Sequence, residues 1–202
     1  MSFHLRQVQP LYADSNLDSN YQCSKDKVSM RLKLATNSDD LFKSFKSKLR
    51  SQIRRPQKEG IYFKAGREDL INDFYKVFTI NMRDLGSPVH SKNLFENIIN
   101  TFKDSVKIGV VYLKEKPIGA GLITLFNKYV EIPWASTIRN YNKLSPNMLL
   151  YWSLLEYSCN NSFEIFDFGR SSTGENTYKF KAQWGSESIP LHWYVFNDKS
   201  VN

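Results

Sequence analysis

The stretch Phe166–Gly185, FDFGRSSTGENTYKFKAQWG, decides how this chain is read. A run of aromatic and β-branched residues, FEIFDF over 163–168, leads into it as a strand. Gly169 is expected to end that strand, and Thr173-Gly174-Glu175 to form a polar turn. Asn176 or Thr177 then caps a short helix carrying Tyr178, Phe180, Lys181 and Trp184. A strand end, a polar loop and a helix start would thus bring Asp167, Arg170, Ser171, Lys179 and Lys181 close together. In open α/β sheets, ligands collect outside the carboxyl ends of strands. The amides of a helix start, with Arg and Lys beside them, suit an anionic group.

Composition sets the outer bounds. The 202 residues are 41% hydrophobic, enough for one core, so one domain is the default. No run of about 18 apolar residues occurs, so no transmembrane segment is expected. MSFHLRQVQPLY lacks the apolar centre of a secretory signal, and Cys23 and Cys159 suggest no disulfide framework. A cytoplasmic location follows as the expectation. The net charge of +8 points to an anionic partner without choosing among nucleic acid, phospholipid and phosphorylated substrate.

Upstream, FHLRQVQPLY reads as one strand and ADSNLDSNYQCSKDK as a polar linker, both unlike the rest. VSMRLKL (28–34) alternates as a half-buried strand. Asn37 or Ser38 caps a helix with Leu41, Phe45, Leu49 and Ile53 on one stripe, which Pro56 ends or kinks. Its other faces are basic, and are either solvated or an anion rim in which Arg50, Arg54 and Arg55 are the candidates. IYFKAG (61–66) is a short strand, and Glu68–Leu85 a long helix closed by a left-handed Gly86 and by Pro88. Asn81, Arg83, Asp84 and His90 gather at that end, either to cap and pin the loop or to touch substrate.

A second amphipathic helix spans 91–102, followed by strands 106–114, 116–126 and 128–136 with a tight hairpin at Glu115-Lys116. Gly119 and Gly121 suit close backbone approach, and Pro133 a bulge or splayed edge in EIPWAS. Ser145 and Pro146 start a buried helix. SIPLHWYVF (188–196) reads as a closing strand that puts His192 and Trp193 on opposite faces, and NDKSVN as a polar tail. There is no metal-ligand spacing, no Gly-x-Ser-x-Gly elbow and no Gly-rich phosphate loop. Serine-nucleophile and nucleotide-hydrolysing chemistries are therefore not expected.

FDFGR followed by YKFKAQWG resembles the C-terminal signature of Fem-type aminoacyl or acyl transferases. KLRSQIRRPQKEG, NMRDLGSPVHSK, EIPWAS, PNMLLYWSLLEY and TYKFKAQWG together resemble FemAB-like proteins associated with exosortase and PEP-CTERM exopolysaccharide loci. The resemblance covers about residues 28–194 in separate blocks. It implies an α/β (α+β mixed) fold of the GCN5-related N-acyltransferase (GNAT) type, with a central mixed, mostly antiparallel sheet flanked by helices. It implies that residues 27–202 are the acyltransferase-like domain and residues 1–26 the remnant strand and linker of a first one.

The same resemblance implies a splayed strand at EIPWAS, where free N–H groups of Trp134, Ala135 and Ser136 meet the acyl carbonyl. Lys181 would stabilise developing negative charge, with Asp167 and Ser136 the other catalytic candidates. Arg50, Arg54, Asn81, Arg83, Asp84, His90, Trp134, Asn147, Tyr151, Arg170, Ser171, Tyr178 and Phe180 would bind substrate. Coenzyme A enzymes of this fold carry Gly at the junction matching 136–147, where this chain has none. That departure argues against standard acetyl-CoA binding and fits the Fem-type branch. The donor is thus expected to be acyl-CoA or aminoacyl-tRNA, with tRNA a partner in the second case. The acceptor is expected to be an anionic small molecule or glycan-linked amine of the cell envelope or of exopolysaccharide. The alternative is a catalytically silent domain that binds an anionic glycan, a lipid-linked saccharide or RNA.

Overall fold

The structure, a computed structural model, describes residues 2–10 and 21–197. In chain order its elements are β1 (Ser2–Gln7), β2 (Tyr21–Ser24), β3 (Lys27–Lys33), α1 (Ser38–Ser44), α2 (Ser47–Lys58), β4 (Ile61–Gly66), α3 (Ile71–Asp84), α4 (Lys92–Phe102), β5 (Val106–Leu113), β6 (Lys116–Phe126), β7 (Tyr129–Thr137), α5 (Pro146–Asn160), β8 (Ile165–Ser172), α6 (Asn176–Ala182), β9 (Glu187–Pro190) and β10 (His192–Asn197). Single 3₁₀ segments stand at Glu68–Leu70, Lys103–Ser105 and Arg139–Leu144. This is a mixed α/β chain whose sheet is mostly antiparallel and flanked by helices. Residues 33–167 form one compact unit; residues 1–32 and 168–202 form a second.

In the larger unit the strand order is β4-β5-β6-β7-β8, antiparallel as far as β7 and parallel from β7 to β8. Period-two alternation sends Ile108, Val110, Tyr112, Ala120 and Leu122 to one face, against Phe74, Val77 and Phe78 of α3 and Phe95 and Ile99 of α4. The opposite face takes α5, buried on nearly every side because α1 and α2 cover it from outside. Gly109 lies under α5: a Cβ there would stand 2.5 Å from the Phe63 ring and 3.0 Å from Leu154.

The expected helix after Asn37 is two helices. Asn37 caps α1, its Oδ1 accepting from the Asp40 amide at 2.8 Å, but Phe45 is extended (φ −71°, ψ 146°) and the chain restarts at Ser47. All four stripe residues are nonetheless buried, because Phe45 turns inward at the break. Pro56 sits in the last turn of α2. The β5–β6 hairpin turns at Lys114 and Glu115, both left-handed (φ 46° and 61°), one residue earlier than expected. Ser145 is N-terminal to α5 in a left-handed conformation, and its side chain makes no capping bond. Among the described residues no helix is long and apolar enough to cross a membrane.

In the smaller unit the second half of β8 neighbours β3, which pairs antiparallel with β9. A separate three-stranded sheet has the order β1-β10-β2. The expected single strand 188–196 is therefore two strands in two sheets, parted at Pro190–Leu191. Tyr21–Ser24, read as linker, is a strand; Leu11–Asn20 and the end of the tail, 198–202, lie outside the described residues. Gly169 does not end its strand. It takes φ 75° inside β8 and breaks the alternation there, so that Phe166, Phe168 and then Ser171 are buried while Arg170 is exposed. The helix cap falls on Glu175, without a side-chain bond, rather than on Asn176 or Thr177.

Candidate functional site

In the larger unit the site grows from the irregularity in β7. Leu122 opposes Trp134, but Thr124 opposes Glu131, so β7 carries one extra residue around Ile132–Pro133. Proline removes a ladder donor there, as EIPWAS leads one to expect. The parallel ladder to β8 spans only Tyr129–Glu131 with Ile165–Asp167, whereas β7 continues to Thr137.

The β6–β7 register decides which amides of β7 are available. The Ile138 amide donates to the Ile118 carbonyl at 2.9 Å. Hydrogen-bonded pairs recur every second residue of an antiparallel ladder, so Ala120–Ser136 and Leu122–Trp134 are also bonded pairs. The Trp134 and Ser136 amides, both expected as donors, are spent on β6. The Ala135 amide, between them, points away from β6.

Beside Ala135 lies a cavity of about 150 Å³ lined by Phe78, Met82, His90, Pro133, Trp134, Ala135 and Ser136. Ser136 is buried, and its Oγ accepts from Asn81 Nδ2 at 3.2 Å. Because Asn81 donates, the Ser136 hydroxyl keeps its own proton to give elsewhere. The His90 ring lies parallel to Phe78 (centroids 6.2 Å apart, 5°) and edge-on to Trp134 (6.3 Å, 81°). The Tyr75 hydroxyl holds the loop by donating to the His90 carbonyl.

The four residues expected at the end of α3 divide. Asn81 and His90 join the Ser136 cavity or its wall. Arg83 and Asp84, ion-paired at 3.0 Å, line a different cavity of about 300 Å³ with Ile80, Lys116, Ile138, Asn140 and Tyr141. The helical period explains the split: Phe78, Asn81 and Met82 form one stripe of α3, while Ile80, Arg83 and Asp84 form the opposite one. Arg50 donates to the Lys43 carbonyl at 3.2 Å, and Arg54 lies over the Phe42 ring at 5.0 Å. Both thus brace the α1–α2 break. Asn147 is half-buried in the first turn of α5, and Tyr151 one turn on, where burial pushes its phenol up to about 12. Asp167 is the last residue of β8 laddered to β7, opposite Glu131.

In the smaller unit Lys181 is buried, and its ammonium donates to the carbonyls of Gly169 at 3.1 Å and Arg170 at 2.9 Å. It clamps the distorted part of β8, a role that helical periodicity does not reveal. Phe180 packs edge-on against Trp184, which lies near Phe168. Tyr178 is half-buried and Lys179 exposed. Ser171 Oγ is buried without a hydrogen-bond partner. Arg170 lies over the Trp193 ring at 5.1 Å, a partner that β10 supplies and the sequence did not indicate. Among the described residues no group of three or more His, Cys, Asp or Glu side chains is placed to hold a metal ion.

The model of the acetyltransferase (GNAT) domain matches residues 43–180, and the chain belongs to that family. No curated protein matches it. Among solved structures it is similar to FemX, with a TM-score of 0.73 at 13% identity over 88% of this chain and 63% of that one. It is similar to the C-terminal domain (DUF2156) of a putative lysylphosphatidylglycerol synthetase from Agrobacterium fabrum, with a TM-score of 0.67 at 14% identity over 90% of this chain and 63% of that one. It also resembles L-PGS from Bacillus licheniformis, with a TM-score of 0.63 at 12% identity over 90% and 64%. The chain thus spans somewhat less than two thirds of the length of these three structures, and at these identities the likeness is one of fold.

Proposed function

We propose that this chain transfers an acyl or aminoacyl group to an amine, acting as an acyltransferase of the Fem-like branch of its family. The observation that carries the reading is the bulged β7 beside a small cavity: the Ala135 amide turned away from β6, with the Ser136 hydroxyl held by Asn81. Attack of a neutral amine on the acyl carbonyl forms a C–N bond and puts negative charge on the carbonyl oxygen. Donors already in place stabilise that charge without reorganising, and one such donor contributes about 3–4 kcal/mol. Collapse expels the thiolate or the tRNA hydroxyl oxygen, and the ammonium proton passes to solvent or to a base at the cavity mouth. His90 and Trp134 wall the place where the amine approaches.

The printed name of the putative lysylphosphatidylglycerol synthetase, a lysyl compound, supports aminoacyl transfer over simple acetylation. The absence of Gly from 136–147 favours aminoacyl-tRNA over acyl-CoA as donor. The sequence blocks that resemble FemAB-like proteins favour an exopolysaccharide or envelope acceptor.

One observation favours the second reading, a catalytically silent binding domain: the Lys181 ammonium is engaged by two main-chain carbonyls. The test compares acyl-CoA and charged tRNA as donors with a panel of amine acceptors, for the unaltered chain and for Ala135→Pro. The proline removes an amide that β6 does not use. Transfer lost in Ala135→Pro with the fold retained supports the reading. Transfer unchanged by it, or no transfer with either donor, overturns it.

A further inference from the structure

Trp193 occupies the middle of the three-stranded sheet, directly opposite Arg6 of β1. The Arg6 guanidinium carbon lies 4.3 Å from the centroid of the Trp193 ring, and that of Arg170, from β8, lies 5.1 Å from the same centroid. The two guanidinium carbons are therefore no more than about 9.4 Å apart, the sum of those two distances. Among the described residues neither has a carboxylate partner. Two further cations come to the same end of β8. The Lys27 ammonium donates to the Ser172 hydroxyl, and that of Lys181 to the Arg170 carbonyl. Asp26, between β2 and β3, accepts from the hydroxyl of Ser24, the residue opposite Trp193 on β2.

Two guanidinium groups on one indole, with no carboxylate partner among the described residues, repel one another. The indole face offsets part of that repulsion through its negative quadrupole. A guanidinium lying over an aromatic face can still present its N–H edge to a phosphoryl oxygen pair and bind it bidentately. A lysine at either position would supply the charge without the fork.

We propose that Arg6 and Arg170, held on Trp193, form a binding site for the phosphoryl or diphosphoryl group of a small-molecule ligand. The site lies wholly within the smaller unit and does not depend on acyl transfer. It gives the strand β1 a function that its position in the sequence did not suggest.

The test is calorimetric titration of the full chain with inorganic pyrophosphate and with a nucleoside 5′-diphosphate at low salt, with Trp emission as a second readout. Saturable binding is expected, weakened about tenfold or more in Arg6→Ala and in Arg170→Ala, and weakened also in Arg170→Lys, which keeps the charge. Trp193→Phe keeps both cations on a weaker face and is expected to bind less tightly with an unchanged far-UV spectrum. A nucleoside diphosphate bound no better than pyrophosphate would identify the diphosphoryl group as the part recognised; one bound much better would add a base contact to the same site. A single-stranded oligonucleotide that binds while pyrophosphate does not would overturn the proposal in favour of a nucleic-acid surface. Pyrophosphate affinity unchanged in the Arg6→Ala, Arg170→Ala double variant, or no binding at all, would also overturn it. None of these outcomes bears on whether Ala135 serves a transfer reaction.

Discussion

Asn81, on α3, donates from Nδ2 to the Oγ of Ser136, on β7, across 3.2 Å, and so joins a helix to the strand edge that lines the cavity. The bond orients the serine hydroxyl rather than merely tethering it, because a serine that accepts from an amide must direct its own proton elsewhere. Ser136→Ala is expected to lower transfer about 100-fold to 1000-fold with little change in acceptor KM, as for a donor that acts on developing charge. Asn81→Ala should cost less, since the hydroxyl remains but can rotate. The double variant should fall close to Ser136→Ala alone, because the two act as one unit. Additive losses in kcat would separate Asn81 from the serine.

Lys181 is expected to matter to folding more than to chemistry. Its buried ammonium donates to the carbonyls of Gly169 and Arg170. Lys181→Met keeps the aliphatic stem and strands both carbonyls, at a cost of about 1–3 kcal/mol for the polar groups left unsatisfied. A clear fall in the urea midpoint with unchanged m-value is the expected result. A variant as stable as the parent but devoid of transfer would return Lys181 to the catalytic role that its resemblance to Fem-type enzymes suggests.

Gly169 gives a third test, on the backbone itself. Its φ of 75° lies where an L side chain is strained, so Gly169→Ala is expected to cost about 1 kcal/mol or more. The strain also works on geometry, since this residue turns Ser171 inward and Arg170 outward. Weaker pyrophosphate binding alongside a lower Tm would show both effects. An alanine variant with unchanged stability would mean that the strand relaxes without cost.

Much of this architecture was legible because it depends on periods of two and 3.6. The buried stripe Leu41, Phe45, Leu49 and Ile53, the α3 and α4 faces, and the bulge at Pro133 all follow from spacing and from proline's missing donor. The errors have local causes. The break at Phe45 carries no glycine or proline, so a continuous stripe concealed two helices. Residues 188–196 alternate like one strand, but Pro190 lacks a ladder donor and marks a boundary within them. Asn81 and Arg83 are close in sequence, but two positions apart on a helix differ by about 200° and face opposite ways. The spent amides of Trp134 and Ser136 depend on β6 register, which no single strand displays. The pairing of Arg6 and Arg170 on one indole joins residues more than 160 positions apart, beyond the reach of any local period.

Alkaline pH tests the tyrosines that the fold keeps protonated. Tyr112 donates its phenol proton to Asp73 at 2.6 Å; burial foremost, then this bond and the neighbouring carboxylate charge, raise its pKa well above the ordinary phenol value. Tyr151, on α5, is pushed up to about 12 by burial alone. A folded-state pKa above the unfolded one means that the native state holds its proton longer. The stabilisation is therefore complete below about pH 10, where both states are protonated, and is lost as pH rises from there through the folded values. Thermal melts should show a steady Tm between pH 7 and 9 and a fall above about pH 10. Tyr112→Phe removes one titrating group and should flatten that fall, while lowering Tm at pH 7 because Asp73 loses a donor. An alkaline slope identical in Tyr112→Phe and the parent would show that this phenol ionises as readily in the native protein as in the unfolded chain.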